Sequence, residues 1–93
     1  MDSSLTLQLN LRYFASLREA FGPGQPLAWA VPAGQAPTAG ALRAWLRAAS
    51  PEQHERLDQA RGVRVAVNQA LAAESAPLSD GDEVAFFPPV TGG

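Results

Sequence analysis

At 93 residues with a formal charge of −2, the chain has the size of one domain and lacks the basic balance that would attract nucleic acid. It contains no cysteine, which removes disulfides, cysteine-ligated metals and thiol catalysis. No apolar run reaches membrane-spanning length and no basic-then-apolar start marks a secretory signal, so a cytoplasmic protein without membrane contact is expected.

Leu5 to Tyr13 alternates without a fault, with Leu5, Leu7, Leu9, Leu11 and Tyr13 on one face and Thr6, Gln8, Asn10 and Arg12 on the other. That period of two predicts a half-buried strand. Leu17, Ala20 and Phe21 then fall at helical spacing, so a short helix is expected over Ala15 to Phe21, closed by Gly22. Gln25 to Val31 alternates through Leu27, Trp29 and Val31 and predicts a second strand, antiparallel to the first.

Thr38 can cap a helix whose apolar stripe is Leu42, Trp45, Leu46 and Ala49, with Arg43 and Arg47 outside. Gly40 weakens the first turn of that helix by up to about 1 kcal/mol relative to alanine. Ser50-Pro-Glu-Gln53 is a capping box with proline at the first helical position, opening a polar helix anchored by Leu57 and ending before Gly62. Val63, Val65 and Val67 predict a long third strand, and Leu71 with its neighbours a brief one after an Asn68-Gln69 turn.

Asp80-Gly81 is a turn signal, and Glu83 to Phe87 is an apolar run of strand length. Val84 and Phe86 occupy one face of this last strand and Ala85 and Phe87 the other, which suits a central position beside the first strand. Pro88-Pro89 have no N–H to continue a ladder and form a stiff exit. The whole of 1–93 then reads as a single α+β domain of the β-grasp kind, a mixed sheet with a helix across one face. Residues 88–93 form its tail, ending in a flexible Gly92-Gly93.

The side chains offer little chemistry. His54 is the only histidine and sits in a polar helix, where a solvated surface role is expected. Asp80, Asp82 and Glu83 surround a glycine turn and are expected to serve it rather than a metal, while Trp29 and Trp45 are expected in the core. What remains is the carboxylate of Gly93. A carboxylate is a poor electrophile, but joined to AMP it becomes a mixed anhydride open to a sulfur or amine nucleophile. Glycine has no Cβ to block that attack, and two in a row can thread a narrow channel. On the residues alone, a frayed terminus without a task is an equal reading.

Val67-Asn-Gln-Ala-Leu71 and the run Pro77-Leu-Ser-Asp-Gly-Asp-Glu-Val-Ala-Phe-Phe-Pro-Pro-Val-Thr-Gly-Gly93 closely resemble the small subunit of molybdopterin synthase, the MoaD family. Tyr13-Phe-Ala-Ser-Leu-Arg-Glu19 and Ala41-Leu-Arg43 are similar to that family too, whereas Gly40 departs from it. The resemblance implies a sulfur carrier that supplies no catalytic side chain and binds no cofactor. An E1-like (MoeB-like) adenylating enzyme would use ATP to activate Gly93, and a sulfur-transfer system would convert it to a thiocarboxylate. The large (MoaE-like) synthase subunit, in a heterotetramer with this one, would take in the tail. There the sulfur would attack cyclic pyranopterin monophosphate and build the molybdopterin dithiolene.

Carried onto this sequence, Gly93 is the functional residue and Gly92 the threading one, with Thr91 and Val90 behind it. Phe87 and Leu71 match the docking positions. In a regular strand Phe87 is offset from the Val84/Phe86 face, so a one-sided core leaves it exposed. Alternatives of the same tail chemistry are a carrier for thiamin, cysteine or tungsten-pterin synthesis, or a ubiquitin-like protein modifier. A further alternative is an interaction module with an idle tail. The chain has no lysine, so as a modifier it could not extend through its own lysines.

Overall fold

The computed structural model describes residues 5–89. The alternating N-terminal run forms strand β1 (Leu5–Tyr13), with Leu7, Leu9, Leu11 and Tyr13 buried and the intervening polar residues exposed. Helix α1 (Ala15–Phe21) follows, and strand β2 (Gly24–Val31) returns antiparallel along β1, pairing Leu7 with Trp29 and Leu9 with Leu27. Helix α2 (Ala39–Arg47) crosses the sheet and leads into helix α3 (Pro51–Arg56) and a 3-10 turn, Gln59–Arg61. Strands β3 (Arg64–Val67), β4 (Ala70–Ala72) and β5 (Glu83–Phe87) complete the chain order.

The five strands lie in the order β2-β1-β5-β3-β4. The last strand is central, parallel to β1 and antiparallel to β3. This is the mixed α+β sheet of the β-grasp fold, and it accounts for the double-sided apolar character of β5. Val84 and Phe86 are fully buried against α2, in one cluster with Leu9, Leu11, Trp29, Leu42, Leu46 and Leu57.

Local signals held at the caps. Thr38 Oγ1 accepts from Ala41 N at 3.1 Å, and Ser50 Oγ accepts from Gln53 N at 3.0 Å. The Asn68-Gln69 turn has both central residues at positive φ, 51° and 70°, as a two-residue hairpin of type I′ requires. Asn68 also ties this turn to β5, its side-chain oxygen accepting from Glu83 N and its amide donating to Asp82 Oδ1, both at 3.0 Å. The strand expected from Val63 is shorter than a long strand, spanning four residues from Arg64.

Two expectations for α2 are corrected. Its buried stripe is Ala39, Leu42, Arg43 and Leu46, so Arg43 points inward and Trp45, 39% exposed, points out. The guanidinium explains the rotation. Nη1 donates to Leu57 O at 2.7 Å, Nη2 to Val63 O at 2.9 Å, and Nε and Nη2 to the two oxygens of Glu74 at 3.0 and 2.9 Å. Its carbon lies 5.4 Å from the centre of the Phe86 ring. A tryptophan turned to this position could supply one N–H where four acceptor contacts are met.

Gly40 is the second correction. It donates its N–H to Glu74 O at 2.7 Å, and a Cβ there would sit 3.0 Å from that same oxygen. Ala39 N likewise donates to Ala76 O at 2.9 Å. The loop after β4 thus satisfies the otherwise unpaired N–H groups that open α2, and a side chain at position 40 would press against it.

Arg43→Met should lower stability by about 3 kcal/mol or more, since two buried carbonyls and a carboxylate lose their donor together. Arg43→Lys should recover only part of this, because an ammonium cannot reproduce the fork. Urea denaturation of both variants checks the claim, and an unchanged midpoint for Arg43→Met would refute it.

Candidate functional site

The alternation that buries Val84 and Phe86 sends Ala85 and Phe87 to the sheet face that no helix covers. Register identifies their neighbours. Ala85 lies between Arg12 of β1 and Ala66 of β3, Ala66 faces Leu71 of β4, and Phe87 faces Arg64. Leu71 is 62% exposed, so an open aliphatic side chain stands at the sheet edge. Phe87 is half-buried rather than fully exposed, and Ala85 is buried. The centre of this face is therefore small and apolar, with larger apolar groups towards the end where the chain leaves β5.

A residue that the sequence reading passed over completes this rim. Tyr13 pairs with Phe86 in the core, so the next residue, Phe14, falls level with Phe87 and on the outer side. Its backbone continues extended at φ −126°, ψ 158°, its N–H donates to Phe86 O at 3.2 Å, and it is 41% exposed. The signal was present: an unbroken alternation ending on a buried Tyr13 must place the following aromatic outside. Phe14, Leu71 and Phe87 thus share one face, ringed by Arg12, Arg64 and Glu83. Arg12 and Glu83 approach to 3.7 Å, with the arginine half exposed, and contribute little to stability.

The other candidate chemistry is occupied with structure. Asp80 Oδ1 accepts from Gln8 N of β1 at 2.6 Å, tying the turn to the first strand, and Asp82 Oδ2 accepts from Ser79 N within the turn at 2.8 Å. His54 is exposed on α3, its carbonyl accepting from Arg47 Nε at 2.7 Å and its ring Nε2 lying 3.4 Å from Arg47 Nη2. Trp29 is fully buried, as expected. Among the described residues no cluster of histidine and carboxylate side chains is placed to hold a metal ion. Val90, Thr91, Gly92 and Gly93 lie outside the described residues. The structure takes the chain to Pro89, at the edge of the Phe14/Phe87 rim.

What this arrangement offers is a surface. An apolar face with two aromatics and a leucine, at the root of a tail, can seat a partner and direct the tail towards it.

Residues 11–93 match the ThiS family. The chain is 41% identical over 85 residues to the molybdopterin synthase sulfur carrier subunit of Escherichia coli (strain K12), covering 91% of this chain and 99% of the relative. Among solved structures it is similar to SAMP1 from Haloferax volcanii, with 30% identity and a TM-score of 0.68 over 92% of this chain and 99% of that one. It is also similar to a chain in the complex of subunits 1 and 2 of molybdopterin-converting factor from Helicobacter pylori 26695. That match has 27% identity and a TM-score of 0.55 over 94% of this chain and 100% of that one.

The two faces of β5 should separate in mutagenesis. Phe86→Ala should cost about 3–5 kcal/mol by leaving a cavity in the core. Leu71→Ser and Phe14→Ser should stay within about 0.5 kcal/mol of the parent, as surface changes do. Urea midpoints of the three variants decide it, and a large loss from Leu71→Ser or Phe14→Ser would make the face part of the core.

Proposed function

The chain belongs to the ThiS family, and from that premise we propose that it is the sulfur carrier subunit of a molybdopterin synthase. The observation that carries this reading is the nearly end-to-end match to the Escherichia coli sulfur carrier subunit. The large synthase subunit is its partner, a pairing of the kind named for the Helicobacter pylori complex. The open face of the sheet supports it, since Phe14 and Phe87 form an apolar rim where the chain leaves β5 and Leu71 stands on the same face at the β4 edge.

In this role Gly93 carries the chemistry. An E1-like enzyme spends ATP to join the Gly93 carboxylate to AMP, releasing pyrophosphate. A hydrosulfide-level donor then displaces AMP and leaves a thiocarboxylate, whose sulfur attacks cyclic pyranopterin monophosphate in the large subunit. Val90, Thr91 and Gly92 thread the channel, and Gly92 is required there because a Cβ meets packed protein walls that cannot relax. The carrier holds no cofactor of its own and pairs with the large subunit in a heterotetramer. It works in the cytoplasm; among the described residues no helix is long and apolar enough to cross a membrane.

Likeness to SAMP1, a small archaeal modifier protein by name, favours one second reading: attachment of Gly93 to lysines of other proteins. Incubation with a cognate activating enzyme, ATP and a sulfur donor separates the two. Intact mass should rise by the difference between one sulfur and one oxygen, with fragmentation placing the change on Gly93. Covalent adducts on lysines of other proteins, without the thiocarboxylate, would favour the modifier instead.

The docking and threading roles come apart in the next measurement. Phe87→Ala should weaken binding to the large subunit by about 2 kcal/mol or more, with the tail chemistry intact once bound. Gly92→Val, supplied as a chemically prepared thiocarboxylate, should bind normally and fail to transfer sulfur in a single turnover. Near-normal product from Gly92→Val would refute the narrow channel.

A further inference from the structure

The last rung of the β5 ladder pairs Phe87 with Arg64, and the next two residues are prolines without an N–H. At Pro88 and Pro89 the chain has no N–H to donate to a ladder. A different contact takes over. A Cβ built on Gly62 would lie 3.3 Å from Pro89 Cγ, 3.4 Å from its Cβ and 3.7 Å from its Cδ. The proline ring is therefore seated on the bare Cα of Gly62. Pro88 and Pro89 also line a depression with Ser16, Leu17, Arg56, Arg61 and Val63.

The seat is firmly mounted. Gly62 closes the 3-10 turn in the left-handed region, φ 82° and ψ 9°, donating its N–H to Gln59 O at 2.9 Å. Asp58 caps the same turn, its Oδ1 accepting from Ala60 N at 2.9 Å, a bond that holds its carboxyl below the usual carboxylate range. On either side of the turn, the carbonyls of Leu57 and Val63 are both held by Arg43. The segment carrying Gly62 is thus clamped to α2 through one guanidinium.

We propose that Gly62 is a positioning residue for sulfur transfer: its missing side chain seats Pro89 and so aims the chain as it leaves the sheet. The proposal rests on the sulfur-carrier reading given above. Two consecutive prolines with fixed φ act as a short stiff post, and whatever tilts the post moves its far end. Four residues beyond it span at most about 14 Å when extended, which leaves little slack for a misdirected start. A side chain at position 62 displaces the ring by a few tenths of an ångström at the base. Misplacement of reacting groups on the order of 1 Å is enough to cost up to about a hundredfold in rate.

The test combines Gly62→Ala with Pro89→Gly, which removes the ring the new methyl would meet. Single-turnover product formation is measured for the prepared thiocarboxylates of the parent, both single variants and the double variant, alongside Kd for the large subunit. Gly62→Ala should slow transfer about tenfold with Kd unchanged, and in the Pro89→Gly background the same substitution should change the rate less than about twofold. A purely structural role predicts the same loss in both backgrounds, tracking the folded fraction; that outcome, an unchanged rate or a weakened Kd would overturn the proposal. Should Gly62→Ala fail to fold, Gly62→Asn carries the same test, because asparagine tolerates the left-handed region. Nuclear Overhauser contacts between Gly62 Hα and the Pro89 ring in the unmodified chain test the seat without any partner, and their absence removes it. A parent thiocarboxylate that docks but yields no product refutes the carrier role instead, and the seat then stands or falls on those contacts.

Discussion

One buried guanidinium holds together the parts of this molecule that the hydrophobic core does not reach. The sheet and α2 cohere through apolar burial, but α3 and the 3-10 turn contribute little of it: Leu57 is the buried residue between them. Arg43 compensates by gripping the carbonyls at both ends of that segment, Leu57 and Val63, and by anchoring the loop after β4 through Glu74. A buried ion pair is weak evidence for stability as such, since desolvation offsets much of its attraction. Here two of the partners are backbone carbonyls that would otherwise be unpaired, so the gain is in satisfying groups that have no alternative. The planar fork reaches elements distant in sequence at once, which a single ammonium could not do.

The same economy of position governs β5. Neighbouring residues on a strand face opposite ways, so four consecutive apolar side chains serve two purposes. Val84 and Phe86 close the core beneath α2, with Arg43 over the Phe86 ring. Ala85 and Phe87 belong to the open face together with Ala66 and Leu71. A central strand parallel to β1 is what brings Phe14 level with Phe87, because the Tyr13–Phe86 register sets both. Core and surface are thereby in fixed phase. A one-residue slip of β5 would expose Phe86 and bury Phe87 together, so the register that stabilises the fold also specifies the face.

Where the sequence was legible, the signal was local and periodic. The nine alternating residues of β1, the Thr38 and Ser50 caps and the Asn68-Gln69 turn each state their own structure within a few residues. The face of α2 was not legible in this way. Stripes through Leu42, Trp45, Leu46 and Ala49 or through Ala39, Leu42, Arg43 and Leu46 are both helical, and hydrophobicity favours the first. The second prevails because of acceptors at Leu57, Val63 and Glu74, which lie far along the chain and are invisible to any window on the helix. Gly40 misled for the same reason, since its role depends on the approach of Glu74. Phe14 was readable from the phase of β1 but was hidden inside a motif recognised as a whole. Val90, Thr91, Gly92 and Gly93 lie outside the described residues, and the threading role proposed for the first three and the chemical role proposed for Gly93 rest on chemistry and on kinship.

A carrier of this kind must reconcile two opposed demands. In the proposed role its reacting end enters another protein, and a glycine end has no side chains with which to orient itself. Orientation therefore has to be supplied at the root, by groups that belong to the rigid domain. The described residues place there an apolar rim on one side, from Phe14 and Phe87, and a proline ring resting on Gly62 on the other. Both trace back to the core through short paths: the rim through the Tyr13–Phe86 register, the seat through the carbonyls held by Arg43. Anchoring the root in this way keeps the entropy of ordering low on binding, since those groups are already fixed before a partner arrives.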